Sequence, residues 1–396
     1  MTQFTHDQAK LAYDYIKTRV LNKTTGLLYD HAHANDMNHF PTPEEVAAAY
    51  PNPCGYSVGM EDGMINGGTM LDACLLKYES EKTPESLELA HALAKGMLDC
   101  LLHTRSEGYV PRGVIPADRK SCYVDSSIDQ YTMFCFGLFR LLESGYADEK
   151  EKERIKCALL SVAKRAENNL TEENDYDLLR DDGGKSLVSR IWGETRGNHE
   201  VHRLPMIYIF AYHLSGNTHF LELYKSIREK AYEKSLTFGG YWHLYCLQQM
   251  QASVYICMKL DNDDGWKEKY LYLMNKAADY AESCIPSVTS EINSHSNYNA
   301  EYLPFRECAR DLRAQNKFAA LGFPDAFHPQ REDEHEFFTL QDAANAGIIE
   351  GMVPGRSPSK KSAELFELGF SKIDFSKHER CVPIHYVDAY YRLLQS

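Results

Sequence analysis

The sequence predicts an all-α fold, an (α/α)6 toroid in which an outer ring of helices encloses an inner ring. Apolar residues recur about every 3.6 positions in many consecutive segments, whereas strand-like alternation is sparse. The segments come in pairs joined by short turns, and ~65 residues per pair over 396 residues gives roughly six pairs. The first helix of a pair is the more apolar and the second is amphipathic, as expected if the second covers the first.

Taken in chain order, each helix has its own signals. Thr83 and Pro84 start one helix, because threonine suits the N-cap and proline suits the first helical position. The short turns at 145–148 and 215–217 make the helices on either side antiparallel neighbours. The periodicity predicts helices over residues 5–21, 62–79, 84–103, 126–144, 148–168, 199–215, 217–235, 241–260, 264–283, 302–319, 334–350, 361–371 and 384–394.

Longer segments, rich in glycine, asparagine, aspartate and aromatic residues, lie between the pairs at 104–125, 169–198 and 284–301. An open α-solenoid usually keeps short loops on both sides, so long loops on one side favour the closed ring. We therefore predict a single domain over residues 1–396, in which 284–333 forms an irregular rim or lid.

Composition narrows the classes of function. With 43 basic and 57 acidic residues the net charge is −14, which disfavours binding to nucleic acid or to anionic lipid. No stretch of about 18 apolar residues and no export signal is present, so we expect a cytoplasmic protein without a membrane segment. The 11 cysteines form no CxxC pair, and neither a metal nor a cofactor is predicted. The sequence leaves the oligomeric state open.

The long loops lead into the inner helices, so the first turns of those helices should converge at one end of the ring. These segments combine aromatic or methionine side chains with acidic, histidine and arginine groups. Such a mixture suits sugars, whose rings stack on aromatic faces and whose hydroxyls bond to charged groups. The candidates are Asp62, Arg112, Asp125, Asp129, Trp192, His199, Glu200, Arg203, Trp242, His243, Arg331 and His335.

Two of these segments carry a resemblance to a known family. EDGMINGGTM contains Asp62 and DSSIDQYTMF contains Asp129. The chain resembles the six-hairpin glycosidases, most closely the unsaturated glucuronyl and rhamnogalacturonyl hydrolases, in which an aspartate opens an inner helix in two successive hairpins. The resemblance implies that Asp129 is the general acid and Asp62 its partner. It further implies protonation of the double bond of an unsaturated uronic acid, followed by hydration and ring opening.

Glycosidic cleavage needs one protonated and one ionised carboxyl group. We expect burial among Tyr123, Tyr131 and Met64 to raise the pKa of Asp129. A purely structural role is the alternative, because the macrodipole favours acids in first helical turns. Ser127 and Gln130 would then form a capping box.

The segment 197–203 looks like a zinc-binding HExxH motif, but the residue four positions after His199 is Arg203. We therefore predict that His199, Glu200 and Arg203 bind substrate, with helix capping as the alternative. Trp242 would form the floor of a sugar subsite, or else pack between helices. Arg331 and His335 would hold a uronate carboxylate, or else lie on a solvated face.

Three other functions remain open. A sugar 2-epimerase would use His243, His335 or His385 as acid and base. A polysaccharide lyase on the same toroid would use tyrosine, histidine or asparagine. A non-catalytic helical-repeat scaffold would lack a deep polar pocket and expose an apolar concave surface.

Overall fold

The computed structural model describes residues 2–48, 50, 60, 62–186, 188–194, 196–241, 243–295, 298 and 332–395, with the backbone alone for Phe4 and residues 332–336. Helices α1 to α6 are Gln3–Tyr15, Pro43–Ala48, Gly63–Glu81, Pro84–Cys100, Ile128–Glu143 and Glu149–Asn169. Helices α7 to α13 are Arg203–Ser215, Thr218–Ser235, Leu244–Leu260, Asp264–Ser294, Glu332–Gly351, Lys360–Ser371 and Pro383–Gln395.

The all-α prediction is confirmed, since the only strands in the described residues are two short ones. These are β1 (Leu21–Asn22) and β2 (Leu27–Leu28), which pair antiparallel. A π-helical turn, Ile16–Val20, continues α1, and 3₁₀ turns occupy Met37–His39 and Leu101–His103. Among the helices of the described part, none combines the length and the apolar character that crossing a membrane requires.

Six helices contact one another in a closed cycle that runs from α3 through α5, α7, α9, α11 and α13 back to α3. We call these the inner helices. Each inner helix also packs against an outer one, in the pairs α3 with α4, α5 with α6, α7 with α8, α9 with α10, α11 with α12 and α13 with α1. A toroid has such a cycle and an open solenoid lacks one, so the contacts agree with the predicted toroid, which stays a prediction. The contact between α13 and α3 closes the cycle, and α1 packs on the outside of α13.

The largest boundary difference is at α10, which was expected to end at residue 283 and continues to Ser294. Ile285, Val288 and Ile292 are buried at helical spacing, so their packing extends the helix past Pro286. Residues 284–294 therefore do not belong to an irregular segment, and 332–333 are also helical. The predicted helix 302–319, with most of the predicted rim, lies outside the described residues.

Two glycines allow α3 and α5 to approach closely. A Cβ atom on Gly68 would lie 2.1 Å from the backbone oxygen of Met133, and one on Gly137 would lie 2.7 Å from the Cα of Gly68. The two backbones are therefore in direct contact. This contact fixes the separation of the helices whose first turns carry Asp62 and Asp129.

We expect Gly68→Ala to lower the free energy of unfolding by about 1–3 kcal/mol or more, because the new methyl group meets backbone rather than a flexible side chain. Urea unfolding followed by circular dichroism measures the loss. Gly347→Ala in α11 is the matched control, since its Cβ would meet only ordinary contacts, the nearest at 3.7 Å. Equal stability of the Gly68→Ala variant and the wild type would contradict the close-contact interpretation.

Candidate active site at the start of the inner helices

Asp62 and Asp129 lie at the start of two neighbouring inner helices. Asp62 is the N-cap residue of α3, and Asp129 is in the first turn of α5. Their side chains are 46% and 27% exposed, so both carboxyl groups reach solvent. The aspartates that the sequence singled out therefore occupy the same end of the inner helices.

Gln130 connects the two helix starts. Its Oε1 accepts a hydrogen bond from the Met64 amide at 3.1 Å, and its Nε2 donates to Asp62 Oδ1 at 3.1 Å. The predicted capping box with Ser127 is wrong, because the Ser127 side chain makes no capping hydrogen bond and Gln130 reaches across to α3. Gln130 therefore fixes the position of Asp62 relative to the start of α5.

Each aspartate has a buried arginine beside it. Arg203, the first residue of α7, donates from Nη1 to Asp129 Oδ1. Arg112 Nη1 lies 3.7 Å from Asp62 Oδ1. Both arginines are buried while both carboxylates are partly exposed, so the positive charge lies on the protein side of each acid.

The surroundings of Asp129 therefore differ from the expected burial among Tyr123, Tyr131 and Met64. The Tyr131 hydroxyl accepts from the Val110 amide at 3.2 Å and lies near Arg165. The residue that contacts Asp129 is Arg203, which is distant in sequence. No periodicity or capping signal indicates such a pairing between two inner helices.

The start of α9 also lies close to both aspartates. Burial raises the pKa of Tyr245, and the negative charges of Asp129 and Asp62 raise it further. Burial and then the Asp129 carboxylate raise the pKa of Cys246 to about 11. The first turns of α3, α5, α7 and α9 therefore converge around one group of charges.

His243, the N-cap residue of α9, forms a buried pair with Asp342 of α11. His243 Nδ1 lies 2.8 Å from Asp342 Oδ2, and Asp342 Oδ1 accepts from the Leu244 amide at 2.8 Å. Burial raises the pKa of Asp342, and the hydrogen bond to His243 opposes that rise. The imidazole also stacks on Phe338 with ring centroids 5.1 Å apart. A carboxylate-oriented imidazole is a competent general acid or base.

The loop before α7 holds the other two predicted residues of the 197–203 segment. Glu200 accepts from the Gly197 amide at 2.6 Å and from Arg196 Nη1 at 3.0 Å, so it bonds to its own loop. Burial, followed by the positive charge of Arg203, lowers the pKa of His199 to about 4. The helix predicted from residue 199 begins instead at Arg203. His199 is therefore a neutral imidazole next to the Asp129 ion pair at pH 7.

The remaining predicted residues have varied positions. Asp125 is buried, and its Oδ1 accepts from the Ser126 amide at 3.1 Å, so it does not face the solvent beside Asp129. Trp192 is half-buried against the hydrophobic core. Trp242 and Arg331 lie outside the described residues, and of His335 only the backbone in α11 is described. Substrate contacts by these five residues stay predictions.

Sequence reasoning missed three residues of this site. Asp30 Oδ1 accepts from the Asp62 amide at 3.1 Å and from Asn66 Nδ2 at 3.3 Å, which holds the start of α3. Tyr245 and Asp342 were also missed. For Asp342 one signal existed, the single charged residue in the stretch 337–349 of a predicted inner helix.

Within the described part of the chain, no group of three or more histidine, cysteine, aspartate or glutamate side chains is placed to hold a metal ion. Comparison of the chain with protein-family models, with curated proteins and with solved structures finds no match.

We expect Gln130→Met to lower the free energy of unfolding by about 1–3 kcal/mol, because it leaves the Met64 amide without its buried acceptor. Chemical unfolding measures this loss. Gln249→Met in α9 is the matched control, because Gln249 is also buried and its Oε1 makes no hydrogen bond within the described residues. Equal losses in both variants would show that the Gln130 hydrogen bonds contribute nothing specific.

Proposed function

We propose that the protein is a glycoside hydrolase that acts on short oligosaccharides, in particular those with an unsaturated uronic acid at one end. Asp129 acts as the general acid and Asp62 as the partner carboxylate. The observation that carries the proposal is the pair of partly exposed carboxyl groups at adjacent inner-helix starts, which Gln130 connects. A cytoplasmic location belongs to the same proposal and suits short imported fragments.

The chemistry follows from two carboxyl groups on either side of a sugar. Asp129 transfers a proton to C4 of the unsaturated uronic acid, and a water molecule adds to C5 while Asp62 accepts its proton. The C5 hemiketal opens to a ketone and leaves a hemiacetal at C1. Breakdown of that hemiacetal to an aldehyde breaks the glycosidic bond and releases the rest of the sugar with a free hydroxyl. For an ordinary inverting hydrolysis, the same pair would need a separation of about 6.5–9.5 Å to accommodate the water.

The buried arginines favour an anionic sugar. Guanidinium groups bind carboxylates through paired hydrogen bonds, and Arg112 and Arg203 supply positive charge at the base of the site. A uronate that binds Arg203 would replace Asp129 as its partner and leave the Asp129 carboxyl group free to face the sugar ring. Neutral oligosaccharides lack this effect.

The test is an assay of defined disaccharides with and without a 4,5-unsaturated uronate end. We expect the absorbance of the unsaturated chromophore to fall with time and a reducing sugar to appear in equal amount. Saturated disaccharides of the same sugars are the control substrates. Absence of both signals with every substrate would overturn the proposal.

A sugar 2-epimerase is the second candidate, because the His243–Asp342 pair is a ready acid or base beside the same site. An epimerase exchanges the C2 proton of a free reducing sugar with solvent. Nuclear magnetic resonance in D₂O would then show deuterium at C2 without bond cleavage, and His243→Asn would abolish the exchange. Chromophore loss without C2 exchange would eliminate this candidate.

A further inference from the structure

A cavity of about 440 Å³ lies at the opposite end of the ring, where the inner helices finish. The last turns of α5, α9 and α13 and the loop after α11 form its walls. They contribute four cations, Arg140, Lys259, Arg356 and Arg392. Among the described residues that line this cavity there is no aspartate or glutamate. We call it the basal cavity.

Buried carboxylates accept hydrogen bonds from two of the guanidinium groups. Asp72, fully buried in α3, accepts from Arg140 Nε at 2.6 Å and from Arg392 Nη2, and Asp388 Oδ1 accepts from Arg392 Nε at 2.7 Å. Arg140 Nη2 and Arg392 Nη1 form no hydrogen bond with the described residues, and neither is enclosed by protein atoms. Both nitrogens are therefore held in place at the cavity wall, where they can donate hydrogen bonds to a ligand.

The other two cations are also paired with carboxylates. Arg356 Nη1 donates to Asp279 Oδ1 of α10 at 2.7 Å, and Lys259 Nζ lies 2.8 Å from Glu143 Oε1. The other oxygen of Glu143 accepts from Arg140 Nη1. The macrodipole favours cations in last helical turns, which accounts for Arg140, Lys259 and Arg392 individually. It does not account for Arg356, which lies in the loop between α11 and α12 and faces the same cavity.

We propose that the basal cavity binds a small molecule that carries a phosphate group. Four cations from four separate elements surround it, and a tetrahedral phosphate offers acceptor oxygens in several directions, whereas a carboxylate offers two in one plane. The volume falls within the usual range of about 300–1,000 Å³ for small-molecule sites, so a phosphate monoester fits better than the bare ion. This site is independent of the proposed hydrolase.

Isothermal titration of the full chain with inorganic phosphate and with a hexose monophosphate, at constant ionic strength, tests the proposal. We expect saturable binding of the monoester that weakens about tenfold or more in Arg356→Ala and in Lys259→Ala. Arg154→Ala is the matched control, because Arg154 also pairs with an outer-helix carboxylate and its side chain is similarly exposed, 28% against 19% for Arg356. Its affinity should equal that of the wild type.

Three results would overturn the proposal. These are the absence of saturable binding to the wild type, equal weakening in Arg154→Ala, and saturable binding of a hexuronate with no binding of either phosphate compound. Circular dichroism establishes that each variant is folded. Since Arg356 and Lys259 lie on different elements, either variant alone suffices if the other does not fold.

Discussion

Asp129→Asn is expected to reduce turnover of an unsaturated uronyl disaccharide by about 10²–10⁴-fold or more, with the fold unchanged. An asparagine side chain has nearly the same shape, and its Oδ1 can still accept from Arg203, so packing at the start of α5 is preserved. It cannot transfer a proton to the substrate at neutral pH. The initial rate of chromophore loss measures the effect.

Asp62→Asn should also reduce turnover, because the attacking water would lose its proton acceptor. An acid at the start of a helix also stabilises that helix, so the control must show that losing this stabilisation does not by itself reduce turnover. Asp264→Asn at the start of α10 meets that need, since Asp264 is likewise an acid in a first turn and is fully solvated. We expect full activity in Asp264→Asn. Wild-type turnover by Asp129→Asn would refute its assignment as the acid.

The two chemistries proposed for this site respond differently to the same variants. A hydrolase that depends on Asp129 tolerates loss of His243 better than loss of Asp129, whereas an epimerase that depends on His243 shows the reverse. Asp342→Asn affects both, since Asp342 also holds the Leu244 amide at the start of α9. Chromophore loss and C2 exchange, each measured on both the Asp129→Asn and the His243→Asn variant, therefore distinguish the two chemistries best.

The helices could be predicted from the sequence because each depends on a local pattern. Thr83 and Pro84 begin α4 as expected, and the apolar run before Ser215 forms the buried inner helix α7. The predicted end of α10 at residue 283 was wrong, because tertiary packing of Ile285 and Val288 maintains the helix past Pro286. Burial by distant elements outweighed the local signal.

The site was predictable in part for the same reason. In the predicted ring the first turns of the inner helices converge, and that expectation was enough to place Asp62 and Asp129 at one end of these helices. The partners that define their chemistry come from other helices, as Arg203 does for Asp129 and Asp342 does for His243. Such pairings depend on the rotation of one helix against another, and neither composition nor spacing encodes that rotation directly.

The protein is expected to lose stability steeply below about pH 6.5, because histidines buried in the neutral form take up protons on unfolding. Burial lowers the pKa of His202 to about 3 and the pKa values of His378 and His385 to about 4, from an ordinary value of 6.5. Their stabilising contribution is therefore complete above pH 6.5 and is lost as the pH falls towards 4. At pH 5 each of these histidines lowers the free energy of unfolding by about 2 kcal/mol, and the three together lower it by about 6 kcal/mol.

That loss is comparable to the entire free energy of unfolding of an ordinary domain, so we expect the protein to unfold near pH 5. His202→Phe tests its origin, because both ring nitrogens of His202 lack hydrogen bonds within the described residues and the ring packs against Tyr270. The slope of unfolding free energy against pH between 5 and 6.5 should decrease by about one proton in this variant. If His202→Phe keeps the wild-type slope, the acid sensitivity has another source, and the buried imidazole already carries a proton in the folded protein.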